Sequence, residues 1–221
     1  MQLPRPLSAA VLACGIAALA ACSTAPPAPP VIPRPAEFTP LGLGASYLSG
    51  DVIGGHKARS AKMKAAKVRP LSATGAAQYV VSTENELRSQ TAGIGLDVLR
   101  LGDSIVIRIP AALTFEAGSA VVKPQFDATL KEIARTVRTG NQSFVDIFAH
   151  TDTSGSPEFN LALSQKRATA VATFLAGHGV AKARIASKGY GESAPLYDPD
   201  TTDSQKAANR RVEIRLVPYR A

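Results

Sequence analysis

The sequence predicts an α/β fold in which one mixed four-stranded sheet has helices packed on it. Three observations predict it. Residues 144–149 form an apolar run broken only by Asp146 and bounded by turn residues, the pattern of a mostly buried strand. Phe126, Leu130, Ile133, Ala134 and Val137 recur at helical spacing. Val212, Ile214 and Leu216 alternate with Arg211, Glu213 and Arg215, which marks a half-buried strand. The order along the chain is strand, helix, strand, helix, strand, loop or short helix, strand.

Residues 1–21 carry one positive charge, Arg5, then an apolar run of about fifteen residues from Leu7, and end in Leu19-Ala20-Ala21 before Cys22. This reads as a secretory signal, too short for a spanning helix. The ending looks like a bacterial lipobox, whose cysteine is lipidated and becomes the first residue of the mature chain. Cys14 also follows a small residue but would leave too short an apolar region, so Cys22 is the expected lipidation site. Removal of the signal would also remove Cys14, leaving no free thiol and no disulfide, which suits an oxidising compartment. Ser23 after the cysteine is similar to bacterial lipoproteins sorted to the outer membrane.

Residues 24–40 are proline-rich and should be extended and semi-rigid, spanning roughly 50 Å. Residues 41–55 carry five glycines among apolar residues; they resemble a shortened glycine-zipper segment and read as a flexible linker. Residues 56–69 hold Lys57, Arg59, Lys62, Lys64, Lys67 and Arg69 without one acid. The run reads either as a solvated stretch or as an electrostatic contact with anionic head groups or wall polymer. The organisation expected is thus a signal over 1–21, a tether over 22–77, a leading helix and linker over 78–100, and a domain over 101–218.

Within that domain, Ile105, Ile107 and Ile109 alternate in a strand closed by Pro110. Residues 115–120 form a loop, and Lys123-Pro124 opens the periodic helix that Gly140 ends. After the strand over 144–149, residues 150–155 make a polar loop. Ser156, Pro157 and Glu158 then supply a capping hydroxyl, a proline at the first helical position and an acid in the first turn. This helix runs to Gly177, with Leu161, Ala168, Val171, Ala172 and Leu175 as its expected core stripe. Asn160, Leu163 and Arg167 flank the stripe, so Arg167 reaches back toward the loop bearing Asp152. Residues 184–189 read as a strand, and 191–205 as an irregular surface crossing.

The chain has 25 basic and 17 acidic residues, a net charge of +8. The excess is local: from Asp97 onward 16 basic residues face 13 acidic ones, a net of +3. No basic groove with interleaved aromatics is present, which excludes a nucleic-acid reader. His150 and Asp152 lack further ligands for a metal site, and Ser154, Ser156 and Ser164 lack a nucleophile elbow, so neither a metal nor a hydrolase is expected. His150 is expected to hold its loop through hydrogen bonds. Nothing calls for a cofactor or an enzymatic activity. Asp152 and Arg167 admit two readings: they clasp a zwitterion, ammonium on one and carboxylate on the other, or they pair with each other and brace the loop.

His150-Thr151-Asp152, Gly155, Asn160, Leu163-Ser164 and Arg167-Ala168, with 115–120 (FEAGSA) and 209–214 (NRRVEI), resemble the OmpA-like peptidoglycan-binding domain. The resemblance implies a βαβαβ(α)β sandwich and a noncatalytic anchor. It implies that Asp152 and Arg167, fifteen residues apart, hold the free amino acid end of diaminopimelate in the peptidoglycan stem peptide. Asn160, Thr151, Leu163, Phe115, Glu116 and Arg210 are carried over as their companions. Ala149 stands where the family has glycine, and Glu116 where it has aspartate. The implied location is the outer membrane, lipid-anchored at Cys22 with the domain in the periplasm. The alternative is a signalling or assembly partner of another envelope protein, using the basic run and the leading helix.

Overall fold

The computed structural model describes residues 52–220, so the signal, Cys22 and the proline-rich tether lie outside the described residues. Helix α1 spans His56–Ala65 and α2 spans Ala73–Thr91. Strands β1 (Asp97–Leu101) and β2 (Ser104–Pro110) follow, then the one-turn helix α3 (Ala111–Thr114) and α4 (Pro124–Thr139). Strand β3 (Ser143–His150), α5 (Pro157–Gly177), β4 (Ile185–Gly191), α6 (Asp203–Asn209) and β5 (Arg211–Pro218) complete the chain. No helix among the described residues is long and apolar enough to cross a membrane.

The sheet is mixed, as expected, but it has five strands in the order β1-β2-β5-β3-β4. Only β3 and β4 run parallel; the other three pairings are antiparallel. The additional strand is β1, which pairs with β2 across a tight turn at Gly102-Asp103 where Gly102 takes φ 56°. Such turns favour a glycine-aspartate pair because the backbone must enter the left-handed region. Asp97 and Arg100 interrupt the apolar pattern of β1, so an edge strand reads from sequence as linker.

One face of the sheet carries Ile105, Ile107, Ile109, Val145, Ile147, Ala149, Val212, Ile214 and Leu216, all buried. Against them pack Leu130, Ile133 and Val137 of α4 and Ala168, Val171 and Leu175 of α5. Each valine, leucine or isoleucine among them contributes roughly 1.5–3 kcal/mol by leaving water. Leu161 does not join them: it is 53% exposed, and the inward position of that turn is taken by the buried Asn160.

The basic run departs furthest from expectation. Residues 56–65 are helical, and Arg59 and Met63 are buried. Met63, with Val52, packs against Phe144, Val217 and Tyr219. Arg59 donates from Nη1 to Asp146 Oδ1 at 2.7 Å, while Arg215 Nη2 reaches Asp146 Oδ2 at 2.9 Å and the Ile53 N–H reaches Oδ2 at 3.2 Å. Asp146 is fully buried in the middle of β3. A carboxylate there needs cationic partners, and the second of them comes from the segment ahead of the domain. The folded unit therefore begins well before residue 101, and the lysines occupy only the outer side of α1.

Removing one partner of a buried ion pair is costly even when the other remains. Arg59→Ala should lower stability by about 3 kcal/mol in denaturant melts and release the amides of residues 52–66 to hydrogen exchange. A solvated tether would show neither change.

Candidate functional site

The site forms where β3 ends and α5 begins. Ser156 Oγ accepts from the Phe159 N–H at 3.2 Å, and Pro157 occupies the first turn, so the start predicted from sequence is the start observed. Helix α5 lies unusually close to β4. A methyl group built on Gly189 would stand 2.3 Å from the Gln165 backbone nitrogen, so only glycine allows the approach. Ser164 Oγ accepts from the Gly191 N–H at 2.8 Å and Gln165 Oε1 from the Gly189 N–H at 2.9 Å.

Asp152 and Arg167 are not paired with each other. Asp152 Oδ2 accepts from Arg210 Nη1, and its Oδ1 accepts from the Ser154 N–H at 3.1 Å. Arg167 donates from Nε to the Ser119 carbonyl at 2.8 Å and from Nη2 to the Glu116 carbonyl at 3.3 Å. Its guanidinium lies 5.2 Å from the centre of the buried Phe115 ring. No described residue accepts a hydrogen bond from Arg167 Nη1. Burial pushes the Arg167 pKa down, as does the neighbouring Arg210, with Asp152 partly offsetting them. The three charged groups thus feel one another across a single mouth.

The remaining predicted residues divide between lining and bracing. Thr151 is buried, its N–H donating to the Gly191 carbonyl at 2.9 Å and its hydroxyl unpartnered among the described residues. Asn160 Nδ2 donates to the carbonyls of Asp152 and Ser154 at 3.3 and 3.1 Å and to Glu192 Oε2 at 2.6 Å, so it fixes the loop. Leu163 is half-buried on the flank of α5. Phe115 forms the floor under Arg167. Glu116 presents its carbonyl to Arg167, while its carboxylate turns away to Lys123 at 3.1 Å. Arg210 comes from the turn before β5, and its side chain is 41% exposed.

Sequence reasoning missed the second layer. Asp200 accepts from the Thr153 N–H at 3.1 Å, the Thr153 hydroxyl at 2.5 Å and Asn209 Nδ2 at 3.0 Å, tying the Asp152 loop to α6. Burial raises the Asp200 pKa, but these bonds outweigh it and hold the carboxyl below its ordinary value. Nothing in the spacing of an Asp-Pro-Asp segment signals this duty. His150 holds its place differently than expected. Its ring stacks on Tyr190, centroids 5.4 Å apart and 3° from parallel, and neither nitrogen has a hydrogen-bond partner among the described residues. Burial, and then Arg211, push its pKa well below the ordinary histidine value.

Comparison with known proteins places these motifs. Residues 114–210 match the model of the OmpA family. "Probable lipoprotein YiaD" of Escherichia coli (strain K12) is 37% identical over 144 residues, 65% of this chain and 65% of that protein. The chain therefore spans just under two thirds of that relative. The peptidoglycan-associated lipoprotein of Pseudomonas aeruginosa is 33% identical over 52% of this chain and 67% of its own length. Among solved structures, the cell wall anchor of the T6SS from Pseudomonas aeruginosa aligns with TM-score 0.51 and 26% identity, covering 64% of this chain and 96% of that one.

A histidine whose folded pKa is depressed stabilises the fold fully above its unfolded value, about 6.5, and loses that contribution as pH falls toward the folded value. The melting temperature should therefore drop as pH falls below about 6.5. His150→Phe, which keeps the ring stack, should flatten that part of the profile in a pH series of thermal melts.

Proposed function

The chain belongs to the OmpA family, and we propose that it binds peptidoglycan non-covalently, as a noncatalytic anchor between the outer membrane and the cell wall. The observation that carries this reading is that Asp152 and Arg167, both nearly buried near the end of β3, are not paired with each other. A group bearing both an ammonium and a carboxylate a few ångströms apart matches that arrangement. The free end of diaminopimelate in the stem peptide is such a group.

In this reading the ligand ammonium binds Asp152, competing with Arg210, whose exposed side chain can swing aside. The ligand carboxylate takes the open Nη1 of Arg167, with Arg210 free to join it as a second guanidinium. The Thr151 hydroxyl beside Asp152 is buried and has no partner among the described residues. Ser119 and Glu116 carbonyls hold Arg167 at a fixed angle, so little side-chain freedom is lost on binding. One small zwitterion offers few contacts, and modest affinity per site is expected; many copies on one polymer supply avidity.

The relatives' names, a peptidoglycan-associated lipoprotein and a cell wall anchor, agree with this reading. Cys22 would carry the lipid that fixes the other end in the outer membrane, with residues 24–40 as spacer. Several acyl chains would hold the protein where a single one would be marginal. The alternative is an envelope signalling or assembly partner using the basic run and the leading helix; of the basic run it has only the lysine side of α1, since Arg59 and Met63 face inward.

Sedimentation with purified peptidoglycan tests the anchor. Asp152→Asn and Arg167→Ala should each abolish co-sedimentation, and free diaminopimelate should compete with the wild type. Asn keeps the acceptor for the Ser154 N–H, and the carbonyls released by Arg167→Ala border solvent, so each variant should lose no more than about 1 kcal/mol of stability. Binding retained in both variants would defeat the proposal.

A further inference from the structure

At the opposite end of β3 from the Asp152 mouth, on the order of 25 Å away for a strand of this length, lies a cavity of about 480 Å³. Lys67, Arg69, Arg138, Arg184, Asn141 and Gln142 line it, and no carboxylate does. None of its four cations has an ion-pair partner among the described residues. We propose that this cavity binds a phosphate group.

The cations are set there by construction. Lys67 follows the end of α1 with φ 58°, a left-handed position that ordinarily takes glycine. The turn is closed by the Val68 N–H on the Met63 carbonyl at 3.0 Å. A lysine at this place strains the backbone and puts an ammonium on the cavity wall. Gly179, at φ 89°, leaves room for Arg138: a methyl group there would stand 2.9 Å from Arg138 Cδ. Gln142 Nε2 fixes the Arg69 carbonyl at 2.9 Å.

Arg184 is buried and donates to the carbonyls of Val137, Gly140 and Ser143, so it acts through its field. Burial lowers its pKa to about 10, which leaves it charged at neutral pH. Like charges gathered without an acid repel one another, and an oxyanion would offset that. Phosphate fits better than carboxylate because its several acceptor oxygens meet donors arriving from three elements. The volume lies in the range of small-molecule sites and exceeds a bare ion, so the phosphate arrives with its ester group. Exposed Lys57, Lys62 and Lys64 of α1 extend the same sign of charge beyond the cavity. A phospholipid head group and a soluble phosphate ester share this chemistry.

The test is an amide-shift titration of the full chain with glycerol 3-phosphate at low ionic strength, beside co-sedimentation with phosphatidylglycerol and phosphatidylcholine vesicles. The amides of Val68, Asn141, Gln142 and Gly179 should shift. Arg138→Gln and Lys67→Gly should each weaken binding about fivefold, the worth of one cation near a phosphate surface. Lys67→Gly relieves the strained φ, so its melting temperature should not fall, which separates lost binding from lost folding. Charge-dependent sedimentation with phosphatidylglycerol alone identifies a lipid head group; glycerol 3-phosphate binding without it identifies a soluble ester. Unmoved amides, or wild-type affinity in both variants, would overturn the proposal.

Discussion

The close approach of α5 to β4 is the constraint from which the site follows. Gly189 removes the side chain that would hold the helix off the strand, and Ser164 and Gln165 turn the resulting contact into hydrogen bonds with the strand backbone. With the helix seated there, the backbone of Asn160 and Leu161 lies against Gly191, the last residue of β4. Asn160 then reaches the loop after β3, and Arg167 reaches the 115–120 loop beneath it. Asn160, Ser164 and Arg167 lie on the buried side of the helix, and Leu161 is exposed.

Beyond the apolar core, the sheet's other face carries charge in compensated groups. Asp146 is held between Arg59 and Arg215, and Glu213 between Arg108 and Arg211. For Glu213 burial alone would raise the pKa, but the guanidinium of Arg211, together with that of Arg108, overrides it and keeps the carboxyl ionised. Such arrangements add less to stability than apolar residues of the same volume would, yet they tolerate no partial loss. Their effect here is to specify which segment covers this face: Arg59 can be satisfied only with α1 in its observed place.

The two ends of β3 thus differ in electrostatic design. At the Asp152 end, opposite charges are kept apart by giving each its own partners, Arg210 for Asp152 and the Ser119 and Glu116 carbonyls for Arg167. At the Gln142 end, cations collect with no acid among them, which suits an anion. One strand, buried along its whole length, fixes the distance between the two.

Periodicity and capping residues in the sequence were sufficient to determine the mixed sheet, the helices over 124–139 and 157–177, and the loop that carries Asp152, because these depend on local spacing and on burial of apolar side chains. The motifs around Asp152 and Arg167 also identified the family. Whether those two groups pair was not legible, since fifteen residues of separation are compatible with either outcome; the choice depends on Arg210 and on the carbonyls of Glu116 and Ser119, which only the folded chain brings within reach. The same holds for the basic run. By composition it is a solvated stretch, and it becomes an ordered helix because a buried carboxylate 87 residues further on requires Arg59. Local propensity is written residue by residue, whereas the partners of buried charges are assigned by three-dimensional proximity.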